Sequence, residues 1–286
     1  MKKFLPLLLI LPLSACASPS EGNDSLSLVA STQVWADVAE ELLPGTNVYA
    51  IVPGDTDPHS FEPSASDMAR VENADIILVG GGGYDAWLYE PLGDDDRIIG
   101  AMDLEPHDHS DHSDHSDHSD HSDNEHIWYS PEAVSNFAGE LTSKVREVAP
   151  DTQIAQDAVA NKMAALAARI ADLPAARVAQ TEPIADHLLA HSRMIESTPA
   201  GYRATTLSEG EPTASDVAAF HEAIRNGDID ILIHNPQSAA SVSSSIRDLA
   251  EENNIPVVEI SETPEEGNNF INTFETAVSD LEQASR

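Results

Sequence analysis

The fold class this sequence predicts is α/β: two parallel-sheet lobes joined by one long helix. Three observations predict it. Short apolar runs alternate with helix-spaced segments, as βαβ units require. One run, 75–79, is apolar on both faces, as a strand inside a parallel sheet is. A long helical pattern near the middle separates two such series. The chain has 286 residues, enough for two modest cores.

The first series begins with a strand over 25–30, Ser-Leu-Ser-Leu-Val-Ala. Val34, Val38 and Leu42 then recur at helical spacing until Pro44-Gly45 ends the helix. Residues 47–52 read as a second strand, followed by a Pro- and Gly-rich loop from Pro53 to Pro63. Ser64 and Asp67 form a capping-box pattern for the next helix. Residues 75–79 are a third strand. Gly80 to Gly83 follow, with no Lys-Ser/Thr to make them a phosphate cradle. Tyr84 to Leu88 starts a short helix, and 97–102 is a fourth strand.

Ser130-Pro131 is a strong helix start, with Val134, Phe137, Leu141 and Val145 on one face. After Pro150 a second helix runs from Thr152 to about Asp172, roughly 30 Å at 1.5 Å per residue. Alternation then resumes. Strands are expected at 177–181, 194–198, 230–234 and 256–260, and helices at 183–190, 214–226, 238–252 and 269–283. The boundaries are a leader over 1–15, a tether over 16–24, lobes over 25–149 and 174–286, and a linking helix over 150–173. No sequence repeat relates the two lobes.

The leader has Lys2 and Lys3 before an apolar run, Phe4 to Leu13, too short to span a bilayer. Leu13-Ser14-Ala15-Cys16 then resembles a bacterial lipoprotein signal in which Cys16 carries the lipid. Cys16 is the only cysteine, so no intrachain disulfide can form. The net charge is −36, and only four lysines occur: Lys2, Lys3, Lys144 and Lys162. That charge excludes nucleic acid and anionic lipid surfaces as partners and suits cations or high salt.

Seven of the twelve histidines lie between His107 and His126, most alternating with Ser and Asp. A tract this polar cannot bury a core and is expected to be a mobile, solvated loop over 107–125. His107, His109, His112, His115, His118 and His121 form an auxiliary ligand set for a borderline divalent ion such as zinc. A polar spacer of biased composition is the alternative.

Open α/β sheets bind ligands at the carboxyl ends of their strands. Donors stand there in both series: His59 after the second strand, His126 after the fourth, Glu182 after 177–181, and Asn235 after 230–234. His234 should point away from Asn235 because strand side chains alternate. Asp55 and Asp57 read as turn formers. His187, His191 and His221 read as ordinary surface residues.

Several motifs carry a resemblance. Pro53-Gly54-Asp55-Thr56-Asp57-Pro58-His59 with Phe61-Glu62-Pro63, the Gly81 to Leu88 turn, and His126-Ile127-Trp128-Tyr129-Ser130-Pro131 are similar to the ZnuA/TroA-like metal-binding lipoproteins, a cluster of ABC transporter solute-binding proteins. The likeness covers nearly all of 26–285. It implies a C-clamp with a metal in the cleft between the lobes, held by His59, His126 and Glu182. Asn235 stands where the family has Asp or Glu, and either its amide oxygen or a water completes the set. With Asn235 there, the protein offers a charge of only −1.

The function implied is an extracytoplasmic, lipid-anchored receptor that passes zinc to a membrane permease. Manganese is the alternative cargo, and a surface metal buffer or adhesin the alternative role. No His-Glu-x-x-His helix suggests a zinc hydrolase, so no enzyme is expected. The protein is expected to act as a monomer.

Overall fold

The computed structural model describes residues 26–104, 124–238 and 241–286. One parallel sheet contains β1 (Leu28–Thr32), β2 (Val48–Val52), β3 (Ile76–Val79) and β4 (Ile98–Gly100). The other contains β5 (Arg177–Gln180), β6 (Ile195–Glu196), β7 (Ile231–His234) and β8 (Val257–Glu259). Their strand orders, β2-β1-β3-β4 and β6-β5-β7-β8, are the same topology used twice. In both, the order reverses at the first strand, which opens a crevice at the carboxyl edge. All of β1, β3 and β7 is buried, and for β3 this is why the run read as apolar on both faces.

The helices are α1 (Gln33–Leu42), α2 (Ala65–Glu72), α3 (Ala86–Tyr89), α4 (Pro131–Val148) and α5 (Gln156–Asp172) in the first part. They continue as α6 (Asp186–Leu189), α7 (Ala200–Thr206), α8 (Ala214–Asn226), α9 (Ser241–Glu252) and α10 (Phe270–Ala284). The expected starts are formed by real caps. Ser64 with Asp67 and Thr213 with Asp216 make reciprocal capping boxes. Ser130 Oγ accepts from Ala133 N at 3.3 Å.

One apolar core runs through both lobes. It joins Trp35 of α1, Phe137 of α4, Leu166 of α5, Ile76 and Ile231 of the two sheets, and Phe274 of α10. Helix α10 ends the second lobe yet packs on α1 of the first, as well as on α5 and β8. Asp37 Oδ2 in α1 accepts from Phe270 N at 2.7 Å, which satisfies a buried donor at the start of α10.

Two expectations are corrected. The linking helix begins at Gln156 rather than Thr152, so its 17 residues span about 25 Å. Ala155 N donates to Leu42 O at 2.8 Å instead of continuing the helix. The lobes are still joined by one long helix, α5, which packs along α4. Helix α7 had no counterpart in the sequence reading, because Gly201, Thr205 and Thr206 are poor helix formers. Packing overrides that, with Tyr202 stacked edge-on to Phe220 of α8 at 4.8 Å.

The lobes also touch at the crevice. Asp55 N donates to Pro264 O at 2.8 Å, and Thr263 Oγ1 donates to Thr56 O at 3.0 Å. A Cβ on Gly54 would lie 2.6 Å from Pro264 O, so only glycine lets the two backbones meet. Cys16, with the leader and tether, and the tract histidines His107, His109, His112, His115, His118 and His121 lie outside the described residues. No helix among the described residues is long and apolar enough to cross a membrane.

Candidate metal centre

The strand-end loops converge. His59, His126, Glu182 and Glu262 each offer one ligand atom, and these atoms all lie within 4.8 Å of one another. Two donors come from loops of the first lobe and two from loops of the second.

His59 sits in a short 3-10 turn, Pro58–Ser60, whose start is capped by Asp57 accepting from His59 N at 2.9 Å. Its Nε2 is 3.2 Å from Glu262 Oε2. Burial would lower the pKa of His59, but the hydrogen bond and charge of Glu262, with Glu182 and Glu209 beyond, outweigh burial and raise it to about 9.

His126 is buried and held differently. Its backbone N donates to Asn124 Oδ1 at 2.9 Å, and its Nδ1 lies 2.7 Å from the same oxygen. That contact requires the proton on Nδ1, because a carbonyl oxygen can only accept. Nε2 is then a bare lone pair; it is buried and has no hydrogen-bond partner. A ring pinned through one nitrogen with the other left open is the arrangement a metal-ligating histidine needs. Burial pushes its pKa down to about 4, so it is neutral at ordinary pH. Asn124 in turn donates to Pro183 O at 2.6 Å and Asp186 Oδ2 at 2.9 Å. Asp186 is paired with Arg203 of α7 at 2.8 Å. Asn124 and Glu125, expected as the end of a mobile loop over 107–125, are not solvated tract: Asn124 is only 3 % exposed.

Glu182 and Glu262 face each other through Asn235. Its Nδ2 donates to Glu182 Oε2 at 2.5 Å and to Glu262 Oε1 at 2.8 Å. Its Oδ1 accepts instead from Gln237 N at 3.0 Å. Asn235 thus turns its amide nitrogen, not its oxygen, to the cluster, and the fourth donor position is taken by Glu262. With two carboxylates the cluster carries −2 rather than −1. Burial raises the pKa of Glu182, and the neighbouring charge of Glu262 adds to it. Burial opposes ionisation of Glu262 too, but His59, His126 and Tyr84 outweigh it and hold the group at about 2.

Glu262 follows β8 as Asn235 follows β7; the sequence reading missed it, although the strand-end rule, applied to the last strand, is the signal that could have found it. Gln237 fixes its loop: Oε1 accepts from Glu262 N at 3.0 Å and Thr263 N at 3.1 Å. Tyr84, just past the glycine turn, donates its hydroxyl to Glu262 Oε2 at 2.6 Å from the opposite lobe. His187 is no ordinary surface residue: it is half-buried, with Nε2 2.6 Å from Asn124 O. His221 is likewise half-buried, while His191 is exposed. His234 is buried with neither ring nitrogen hydrogen-bonded, and its charged neighbours, Arg247 first and then Glu259, Glu251 and Asp248, are not those of the cluster.

Comparison with known proteins gives a consistent picture. The manganese ABC transporter substrate-binding lipoprotein scaA of Streptococcus gordonii is 36 % identical over 101 residues, 31 % of this chain and 33 % of that one. The manganese-binding lipoprotein MntA of Halalkalibacterium halodurans is 28 % identical over 141 residues, 46 % of this chain and 43 % of that one. The aligned stretch spans about a third of the length of the first of these relatives and under half of the second. The crystal structure of ZnuA superposes with a TM-score of 0.66 at 16 % identity, covering 92 % of this chain and 98 % of that one. A structure of TroA gives 0.68 at 13 % identity, covering 92 % and 100 %. At such identities these likenesses speak to the fold alone. The family model described as "zinc-uptake complex component A periplasmic" matches residues 28–284, and this chain therefore belongs to the ZnuA family.

Proposed function

We propose that this protein is the extracytoplasmic metal receptor of an ABC importer, capturing zinc between its lobes and delivering it to a membrane permease. The observation that carries the reading is the convergence of His59, His126, Glu182 and Glu262 from four loops on one point. Two neutral imidazoles and two carboxylates suit a divalent transition metal and cancel its charge. In this reading Asn235 orients the two carboxylates, Cys16 anchors the chain to the outer face of the cell membrane, and the lobes divide at the 150–173 segment. The names of its relatives, metal ABC transporter substrate-binding lipoproteins, support it.

Zinc is favoured by the imidazole-rich tract. Manganese is the second reading, favoured by Glu262, since a second carboxylate adds the oxygen donors manganese prefers. The test is competition titration with zinc and manganese, using the full chain with the six tract histidines changed to serine. One tight site is expected, lost in Glu262→Gln and in His126→Ala, with zinc displacing manganese. Metal binding untouched by either substitution would overturn the receptor reading. Manganese holding against equimolar zinc would replace the cargo.

A further inference from the structure

A second group of ligand atoms lies outside the one just described. His59, Glu125 and Glu209 also bring one ligand atom each to within 4.8 Å of one another. They come from three separate segments: the turn after β2, the residue before His126, and the connection between α7 and α8. The two groups share only His59, and share it by opposite faces. Nε2 points inward, 3.2 Å from Glu262, while Nδ1 points outward, 3.9 Å from Glu209. Exposure marks the direction. The side chain of Glu209 is 63 % exposed, that of His59 30 %, and that of Glu262 1 %.

The glycine turn belongs to this outer group. Gly82 and Gly83 both have positive φ, and Glu125 lies against them. A Cβ on Gly83 would come 3.6 Å from Glu125 Oε2. Two carboxylates thus flank one imidazole nitrogen in a very acidic chain. Behind them the bare Nε2 of His126 is buried and waits for a ligand in the inner group.

We infer that His59 Nδ1, Glu125 and Glu209 form an outer station for a divalent cation, which hands the ion inward to the buried set. The inference rests on the metal-receptor reading and extends it to the entry route. A neutral imidazole ligates through one nitrogen and keeps its proton on the other. While the ion sits outside on Nδ1, the ring proton is on Nε2 and donates to Glu262. When the ion moves inside to Nε2, the proton is on Nδ1 and faces Glu209. The two stations therefore fill in turn and not together.

The probe is zinc, and the background is the full chain with the six tract histidines changed to serine. With the inner set disabled by Glu182→Gln and Glu262→Gln, one weaker zinc equivalent is expected to remain, and adding Glu209→Gln should remove it. With the inner set intact, Glu125→Gln with Glu209→Gln should slow zinc entry by about tenfold or more, as loss of a local cation store does. Exit should slow by the same factor, because a station lowers one barrier crossed in both directions. Mere long-range attraction would change entry alone and vanish at high salt. The station is overturned if no weaker zinc remains, if it survives Glu209→Gln, or if entry and exit rates are unchanged. Failure of the receptor reading looks different: the parent would then lack a tight site sensitive to Glu262→Gln.

Discussion

On the proposed receptor function, His59 enters the binding reaction carrying a proton. Its pKa is raised to about 9 by Glu262 and the carboxylates beyond it, against the pull of burial. His126, pushed down to about 4, is already neutral. A metal needs the neutral ring, so at pH 7 binding must expel the His59 proton. The sign follows: because the pKa lies above the working pH, affinity climbs as pH rises, by about tenfold per unit, and levels off near 9. His126 adds no slope above pH 5. Calorimetry in buffers of different ionisation heat should report about one proton released per ion at pH 7. Binding heats independent of buffer would contradict this.

At the scale of elements, the clasp between the loop 53–57 and the loop 262–264 sets the distance between His59 and Glu262. Gly54→Ala places a methyl carbon 2.6 Å from Pro264 O, a backbone atom that cannot swing away. The expected loss is about 1–3 kcal/mol of stability, with weaker metal binding, measurable by denaturant titration and zinc competition. The same loops show what sequence can and cannot reveal. Strand β3 was legible because burial on both faces leaves an unbroken apolar run. The starts of α2, α4 and α8 were legible because their caps are local hydrogen bonds. His59 and His126 stood out through the residues around them. Glu262 did not, being one acid among 50, and its direction depends on Gln237 gripping the turn. Asn124 was hidden at the end of a polar tract, where composition says nothing about a single buried amide. Helix α7 was invisible because its stability comes from α8 and not from its own residues.

For the whole molecule, a net charge of −36 is a standing repulsion between its parts. Salt shortens its reach from about 10 Å at 0.1 M to about 3 Å at 1 M. The melting temperature should therefore rise with NaCl over that range, and a flat or falling curve would show that the acidic surface is not under strain. The shared apolar core has a further consequence. Because α10 belongs to one half yet is seated on α1 of the other, a wide swing of the halves would tear open the protein's interior. Loaded and empty forms must then present nearly the same silhouette. A permease of the proposed kind would then have only the rim of the crevice by which to tell them apart.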